Sequence, residues 1–263
     1  TDGTASILLE PQSTNLITYS EDFSDAIWVS GTTADIVLST NLSPDGTQNA
    51  YEVTYGGSGN RLRMANFGLP ITPHTNSIYI RKVSGSGVVD FIDQLGGSNT
   101  ITITEDWKRY SVTKTLTDGT ARLYMYLQTL GDVIEVYGAQ QEELPYATSY
   151  IPTNGAIATR LADSVTGAGD ATTFNSTEGV LYAEIAALAD DGTKRYISLS
   201  DGTVGNDVRL YFDLSGSISV LSKVGGGTQV FLQSNAYTQT DFNKVAFKYK
   251  ENDFALWING VEV

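Results

Sequence analysis

Apolar and polar side chains alternate with period two along much of this chain, the pattern of β-strands that turn one face toward a core. Residues 122–128 show it most clearly, with Leu123, Met125 and Leu127 on one face and Tyr124 and Tyr126 on the other. Residues 77–81 set Ile78 and Ile80 opposite Tyr79 and Arg81. Residues 107–113 and 132–137 predict two further strands, and the Asp118-Gly119 pair between them favours a tight hairpin turn. The alternation fades over residues 147–175, where Pro152, Gly155, Gly167 and Gly169 are loop residues, and survives there only from Ile157 to Leu161. It resumes at residues 179–185, 195–199, 207–213, 217–221, 243–249 and 253–258. Asn259-Gly260 then signals a hairpin, because both residues tolerate positive φ, with Val261 to Val263 opening the returning strand. A sandwich stopping there leaves an unpaired edge, so the polypeptide is expected to continue beyond Val263.

Helical periodicity is almost absent, and 26 glycines and 15 tyrosines suit short strands joined by turns. The expected fold is all-β, with two antiparallel sandwiches in series. A length of 263 residues supports two cores. The expected division is a connecting segment over residues 1–14, a first sandwich over 15–146, a linker over 147–175, and an incomplete second sandwich over 176–263. Trp28, Trp107 and Trp257 are expected in the cores.

Charge and residue usage narrow the function by exclusion. The net charge is −14, and neither half of the chain is basic, so a partner held by its phosphate backbone is not expected. The absence of cysteine removes disulfides, zinc–thiolate sites and a thiol nucleophile. His74, the one histidine, lies in a turn-like stretch and is expected in a loop. No apolar run approaches the roughly 20 residues that span a bilayer, so membrane insertion is not expected. No serine nucleophile elbow or histidine cluster occurs, and Gly225-Gly-Gly-Thr228 lacks the lysine and helix of a phosphate loop. Glycoside cleavage needs only two carboxylates, but with 30 acidic residues any such pair is uninformative without geometry. A non-enzymatic protein is expected.

Four stretches support a family resemblance. They are residues 15–23 (Asn-Leu-Ile-Thr-Tyr-Ser-Glu-Asp-Phe) with Trp28, the turn Ser43-Pro-Asp-Gly-Thr47, the strand opener Trp107-Lys-Arg-Tyr110, and Tyr137-Gly-Ala-Gln140 leading to Ser149-Tyr-Ile-Pro-Thr153. Together they resemble the carbohydrate-binding-module-like jelly rolls of bacteriophage head-fibre, tail-fibre and appendage proteins. The later stretch Lys244-Val-Ala-Phe-Lys-Tyr249, followed by residues 254–261, is similar to concanavalin-like or laminin-G-like sandwiches.

The resemblance implies a virion-surface protein that attaches to a host cell-surface glycan and to other virion proteins, as a homo-oligomer, a trimer by the habit of fibres. Alternatives are a capsid or tail decoration that acts only as a spacer, a secreted bacterial glycan-binding protein, and a glycan-degrading virion enzyme. Sugars present apolar C–H faces and dense hydroxyls, so a binding face wants flat aromatics beside planar hydrogen-bonding groups. Tyr79 and Arg81 on one strand and Tyr124 and Tyr126 on another form such a platform if the two strands share a sheet. Arg61 and Arg63 would border it, and Gln128 would add an amide. The resemblance also implies a structural calcium between the first and last strands of the jelly roll, with Glu21 and Asp22 at the opening position and Glu142 or Glu143 at the closing one.

Overall fold

The period-two runs become antiparallel strands, and among the described residues the chain is all-β. The structure, a computed structural model, describes residues 7–28, 35–56, 60–64, 67–92, 99–121 and 123–263, with only the backbone of Phe67, Ile92 and Ala121. It divides into two units, Thr1–Ser164 and Val165–Val263.

The first unit opens with β1 (Ser13–Asn15), β2 (Asp35–Leu38), β3 (Tyr51–Thr54), β4 (Arg61–Arg63) and β5 (Phe67–Gly68). There follow β6 (Pro73–Ser84), β7 (Val88–Ile92), β8 (Asn99–Thr102) and β9 (Lys108–Thr115). It closes with β10 (Thr120–Ala121), β11 (Tyr124–Leu127), β12 (Val133–Glu142) and β13 (Ala158–Arg160). A five-stranded sheet, ordered β2-β3-β12-β6-β9, faces a four-stranded sheet, ordered β4-β11-β7-β8. Between them Ile78, Ile80, Ile134 and Val136 from the larger sheet meet Met125 from the smaller, as their alternation predicts, with Leu62, Val89 and Phe91 beside it. Each such side chain, fully buried, contributes on the order of 1.5–3 kcal/mol. Phe23 and Trp28 join this core with ring centroids 4.6 Å apart.

Three expectations change here. The Asp118-Gly119 turn is present, with Gly119 at φ 68°, but it leads out of β9 in one sheet toward β11 in the other, by way of a two-residue pairing of β10 with β5. The hairpin it suggested does not form. The boundary also lies later than expected, because β1 pairs with β13 in the register Ser13↔Arg160. Residues 13–14 and 147–160 therefore belong to the first sandwich rather than to a connector and a linker. His74 sits on β6, not in a loop; it is buried, with Nδ1 2.9 Å from the Thr72 carbonyl oxygen.

Asn15 explains how these terminal segments are held. Its side-chain amide donates to the carbonyls of Ala139 and Ile151, and its Oδ1 accepts from the backbone N–H groups of Ile17 and Gln141. Gly138 serves the same junction. It sits at the bulge of β12 with φ 62°, and a Cβ there would lie 3.1 Å from the Tyr150 ring, so only glycine lets that ring lie against the strand.

The second unit comprises β14 (Glu178–Ile185), β15 (Arg195–Ser200), β16 (Asp207–Phe212) and β17 (Ile218–Val224), then β18 (Gly227–Ser234), β19 (Asn243–Lys250), β20 (Ala255–Ile258) and β21 (Val261–Glu262). Two four-stranded sheets, β14-β19-β20-β21 and β15-β16-β17-β18, share a core of Leu210, Phe212, Ile218, Val220, Val245, Phe247, Leu256 and Ile258. The Asn259-Gly260 turn forms as read, with φ of 52° and 85° and Trp257 opposite Glu262. Of the three tryptophans only Trp28 is buried. Trp107 is half-buried, its Nε1 donating to the Leu42 carbonyl, and Trp257 is half-buried because its neighbours Leu256 and Ile258 take the core side of β20.

Candidate functional site

The platform expected from sequence splits in two, because β6 and β11 lie in different sheets. Tyr79 and Arg81 do point away from the core, on the outer face of the larger sheet, where both are half-buried and engaged by neighbouring side chains. Arg81 Nε lies 2.5 Å from Glu135 Oε2, and its guanidinium sits 5.1 Å from the Trp107 ring centroid. Tyr79 has Tyr137 and Tyr150 at centroid distances of 5.9 and 6.3 Å and the Arg109 guanidinium at 5.6 Å. Burial opposes charge on Glu135. Hydrogen bonds from Ser39, Asn41 and Arg81, with the Arg81 charge, outweigh it and hold the carboxyl below the usual range. Tyr79 and Arg81 are structural residues of the first sandwich.

The other five predicted residues come together on the outer face of the smaller sheet. β4 pairs with β11 in the register Tyr124↔Arg63 and Tyr126↔Arg61, and each guanidinium lies over its tyrosine, at 5.5 and 5.9 Å from the centroid. Leu62 and Met125 take the core side, which is why the arginines and tyrosines face outward. Gln128 follows on the same strand face, exposed, its Nε2 3.3 Å from the Tyr126 carbonyl. Tyr124 is buried beneath this layer, whereas Tyr126, Arg61 and Arg63 are half-buried.

Two residues of this face went unread in the sequence. Tyr126 pairs with Asp90 on β7, and Asp90 with Thr100 on β8, whose hydroxyl donates to Asp90 Oδ1 at 2.6 Å. Four strands thus align Arg61, Tyr126, Asp90 and Thr100 in one cross-strand row. The signal was available: residues 88–92 alternate Val88 and Asp90 against Val89 and Phe91. Chemically, the row offers guanidinium donors, an aromatic ring, a carboxylate acceptor and a hydroxyl across one sheet face.

The four carboxylates expected to hold calcium are not gathered into one site. Glu142 is buried, and its oxygens accept from Ser13 Oγ at 2.6 Å, from Thr148 N at 3.0 Å and from the Thr148 hydroxyl. Glu143 accepts from Thr72 Oγ1. Glu21 and Asp22 line a separate polar recess of about 280 Å³ with Asn49, Tyr51 and Asn154. There Asp22 accepts from Ser24 and Tyr51, and Glu21 and Asp45 lie 3.1 and 2.9 Å from the Tyr137 hydroxyl. Burial and these two carboxylates push the Tyr137 hydroxyl well above its usual range, so it stays a donor. Among the described residues no group of three or more His, Cys, Asp or Glu side chains is placed to hold a metal ion. The expected calcium set does not fit; Glu142 instead anchors β1 and residue 148 to β12.

No family model and no curated protein matches the chain. Among solved structures, a similar one is the N-terminal CBM22-1–CBM22-2 tandem domain from Paenibacillus barcinonensis Xyn10C, at 12% identity and a TM-score of 0.34, over 99% of this chain and 87% of that one.

Proposed function

We propose that the chain is a non-catalytic glycan-binding β-protein and that the outer face of β4-β11-β7-β8 holds the carbohydrate. The observation that carries this reading is the row Arg61–Tyr126–Asp90–Thr100, assembled from four strands with Gln128 beside it. A half-buried ring flanked by planar donors on one side and a carboxylate and hydroxyl on the other suits a pyranose, which has apolar C–H faces and a rim of hydroxyls. Rigid strands fix these groups before the ligand arrives, which limits the ordering cost of binding. The virion-surface setting, with a host cell-surface glycan and neighbouring virion subunits as partners in a homo-oligomer, is supported by the sequence resemblance of residues 15–153 alone.

A glycan array with the wild type and Tyr126→Ala tests the site. Loss of at least about tenfold in affinity is expected, equivalent to roughly 1.4 kcal/mol. Unchanged binding by the variant would sink the assignment of this face, and release of reducing sugar from a bound polysaccharide would overturn the non-catalytic reading. Tyr126 is the better probe than Tyr124, which is buried and whose loss would disturb the sheet.

A further inference from the structure

We infer that the ligand of this face is an acidic glycan, one whose sugar rings carry carboxylate or sulfate groups. The inference rests on the glycan reading above and narrows its ligand. In a chain with a net charge of −14, arginines have many carboxylates to choose from, and others in the first unit use them. Arg81 pairs with Glu135, and Arg160 with Glu10 and Asp163. Arg61 and Arg63 do not. Among the described residues neither has a carboxylate partner.

Their tyrosines do not supply what is missing. A ring under a guanidinium attracts its charge and does not accept its in-plane N–H donors. Among the described residues their one side-chain hydrogen bond is long: Arg61 Nη1 lies 3.4 Å from the Tyr126 hydroxyl. In-plane forks of this kind match the paired oxygens of a carboxylate or sulfate, which accept two parallel hydrogen bonds. Arg61 and Arg63 are alternate residues of one strand, so their backbones are about 7 Å apart and both forks face the same side.

The row is also polarised. The strand order places β4 at one edge and β7 and β8 beyond β11, so Asp90 stands across Tyr126 from Arg61 and is already engaged by Thr100. The Arg61 guanidinium lies over the Tyr126 ring at one end of the row, and an acceptor with a hydroxyl stands at the other. A sugar laid across this row would direct an anionic substituent to the arginine end and hydroxyls to the Asp90 end. Because the whole chain repels polyanions, binding of one would report this local patch rather than general adsorption.

The full chain is titrated with polygalacturonate, dextran sulfate, neutral xylan and dextran, and oligo-dT, at about 50 mM and about 500 mM salt. The expected result is that one of the two acidic polysaccharides binds at least about tenfold tighter than either neutral one and weakens with salt; which of the two it is tells carboxylate from sulfate. The double variant Arg61→Gln/Arg63→Gln is expected to lose that preference, and Arg61→Lys/Arg63→Lys, which keeps the charge but not the fork, to keep only part of it. A Lys194→Gln control in the second unit is expected to bind as the wild type does.

Neutral polysaccharide bound equally well through Tyr126, with the arginine variants unaffected, would overturn the acidic ligand and leave the glycan reading standing. Failure to bind any polysaccharide would overturn both. Tighter binding of oligo-dT than of either acidic polysaccharide, or loss of acidic binding in the Lys194 control, would overturn the inference too. A thermal transition unchanged from the wild type in each arginine variant shows that lost binding is not lost folding.

Discussion

The two outer faces of the first sandwich carry the same kinds of residue to opposite ends. On the larger sheet Tyr79 and Arg81 stand two apart on β6, and on the smaller sheet Arg61 with Arg63 and Tyr124 with Tyr126 do the same on β4 and β11. Arg81 is neutralised by a fully buried Glu135, and Tyr79 is enclosed by two tyrosines and Arg109. Among the described residues the Arg61 and Arg63 guanidinium groups meet the tyrosines of the next strand and no carboxylate. The difference lies in chain segments far away in sequence. Residues 16–22 and 147–154 bond to one another and to β12, and Tyr150 rests on the larger sheet. Alternation tells which residues leave the core; it does not tell which of them the rest of the fold then engages.

The sharpest way to break this asymmetry is at the clamp of the cover. Asn15→Ala would leave two backbone carbonyls and two N–H groups without their side-chain partner in a site where Asn15 itself is fully buried. Each buried group left unsatisfied costs roughly 1–3 kcal/mol, and some will find water, so a loss of about 3–5 kcal/mol is expected. For a unit of this size that corresponds to a fall of about 10 °C or more in the first unit's thermal transition. Calorimetry of the full chain measures it. A shift of only a degree or two would mean that the terminal segments are held by something other than this residue.

That clamp marks the limit of what the sequence discloses. The strands around Ile78, Met125 and Val136 were legible because local alternation and turn residues specify them, and Asn259-Gly260 disclosed its turn for the same reason. Sheet membership was not. Residues 107–113 and 132–137 look like strands joined through the Asp118-Gly119 turn, yet β6 lies between them in the larger sheet, and nothing local to residues 77–81 and 122–128 tells that β6 and β11 belong to different layers. The β1–β13 pairing, which moved the domain boundary, joins residues about as far apart as the first unit allows. Of the proposed face, the arginines at 61 and 63, the tyrosines at 124 and 126 and Gln128 were singled out by chemistry and spacing. Asp90 and Thr100 were missed because their role exists only once β7 and β8 are laid beside β11.

The arginines give a second, smaller contrast. Arg81→Met leaves the Glu135 carboxylate buried with only Ser39 and Asn41 to hold it, and about 2–3 kcal/mol of stability should be lost. Arg63→Met removes a stacking contact of about 0.5–1 kcal/mol and strands no carboxylate. Urea unfolding of the two variants compares them directly, and equal losses would contradict the account of the two faces. The pH dependence follows from the same carboxylate. Its folded pKa lies below the unfolded value, so its contribution is present above the ordinary carboxylate range and is lost as pH falls through the folded value. The stability advantage of the wild type over Glu135→Gln should therefore hold near neutrality and narrow in acid. An advantage that grew as pH fell would reverse the sign of the coupling.

Two glutamines make the finest comparison, because residue type is constant and only the face differs. Gln140 on β12 is fully buried beneath the closing segment, where its Oε1 accepts from the Ile151 N–H at 2.7 Å. Gln128 is exposed just past β11, and its side-chain amide donates to the carbonyl two residues back. Replacing Gln140 by alanine strands a buried N–H and should cost about 1–3 kcal/mol, whereas Gln128→Ala should stay within about 0.5 kcal/mol of the wild type. Glycan affinity should respond in the opposite order, falling in Gln128→Ala and staying unchanged in Gln140→Ala as long as the unit remains folded. Stability and binding measured on the same two proteins thus separate a side chain engaged in the fold from one left available on its surface, and a Gln128→Ala protein that lost stability but kept its ligand would place the binding face elsewhere.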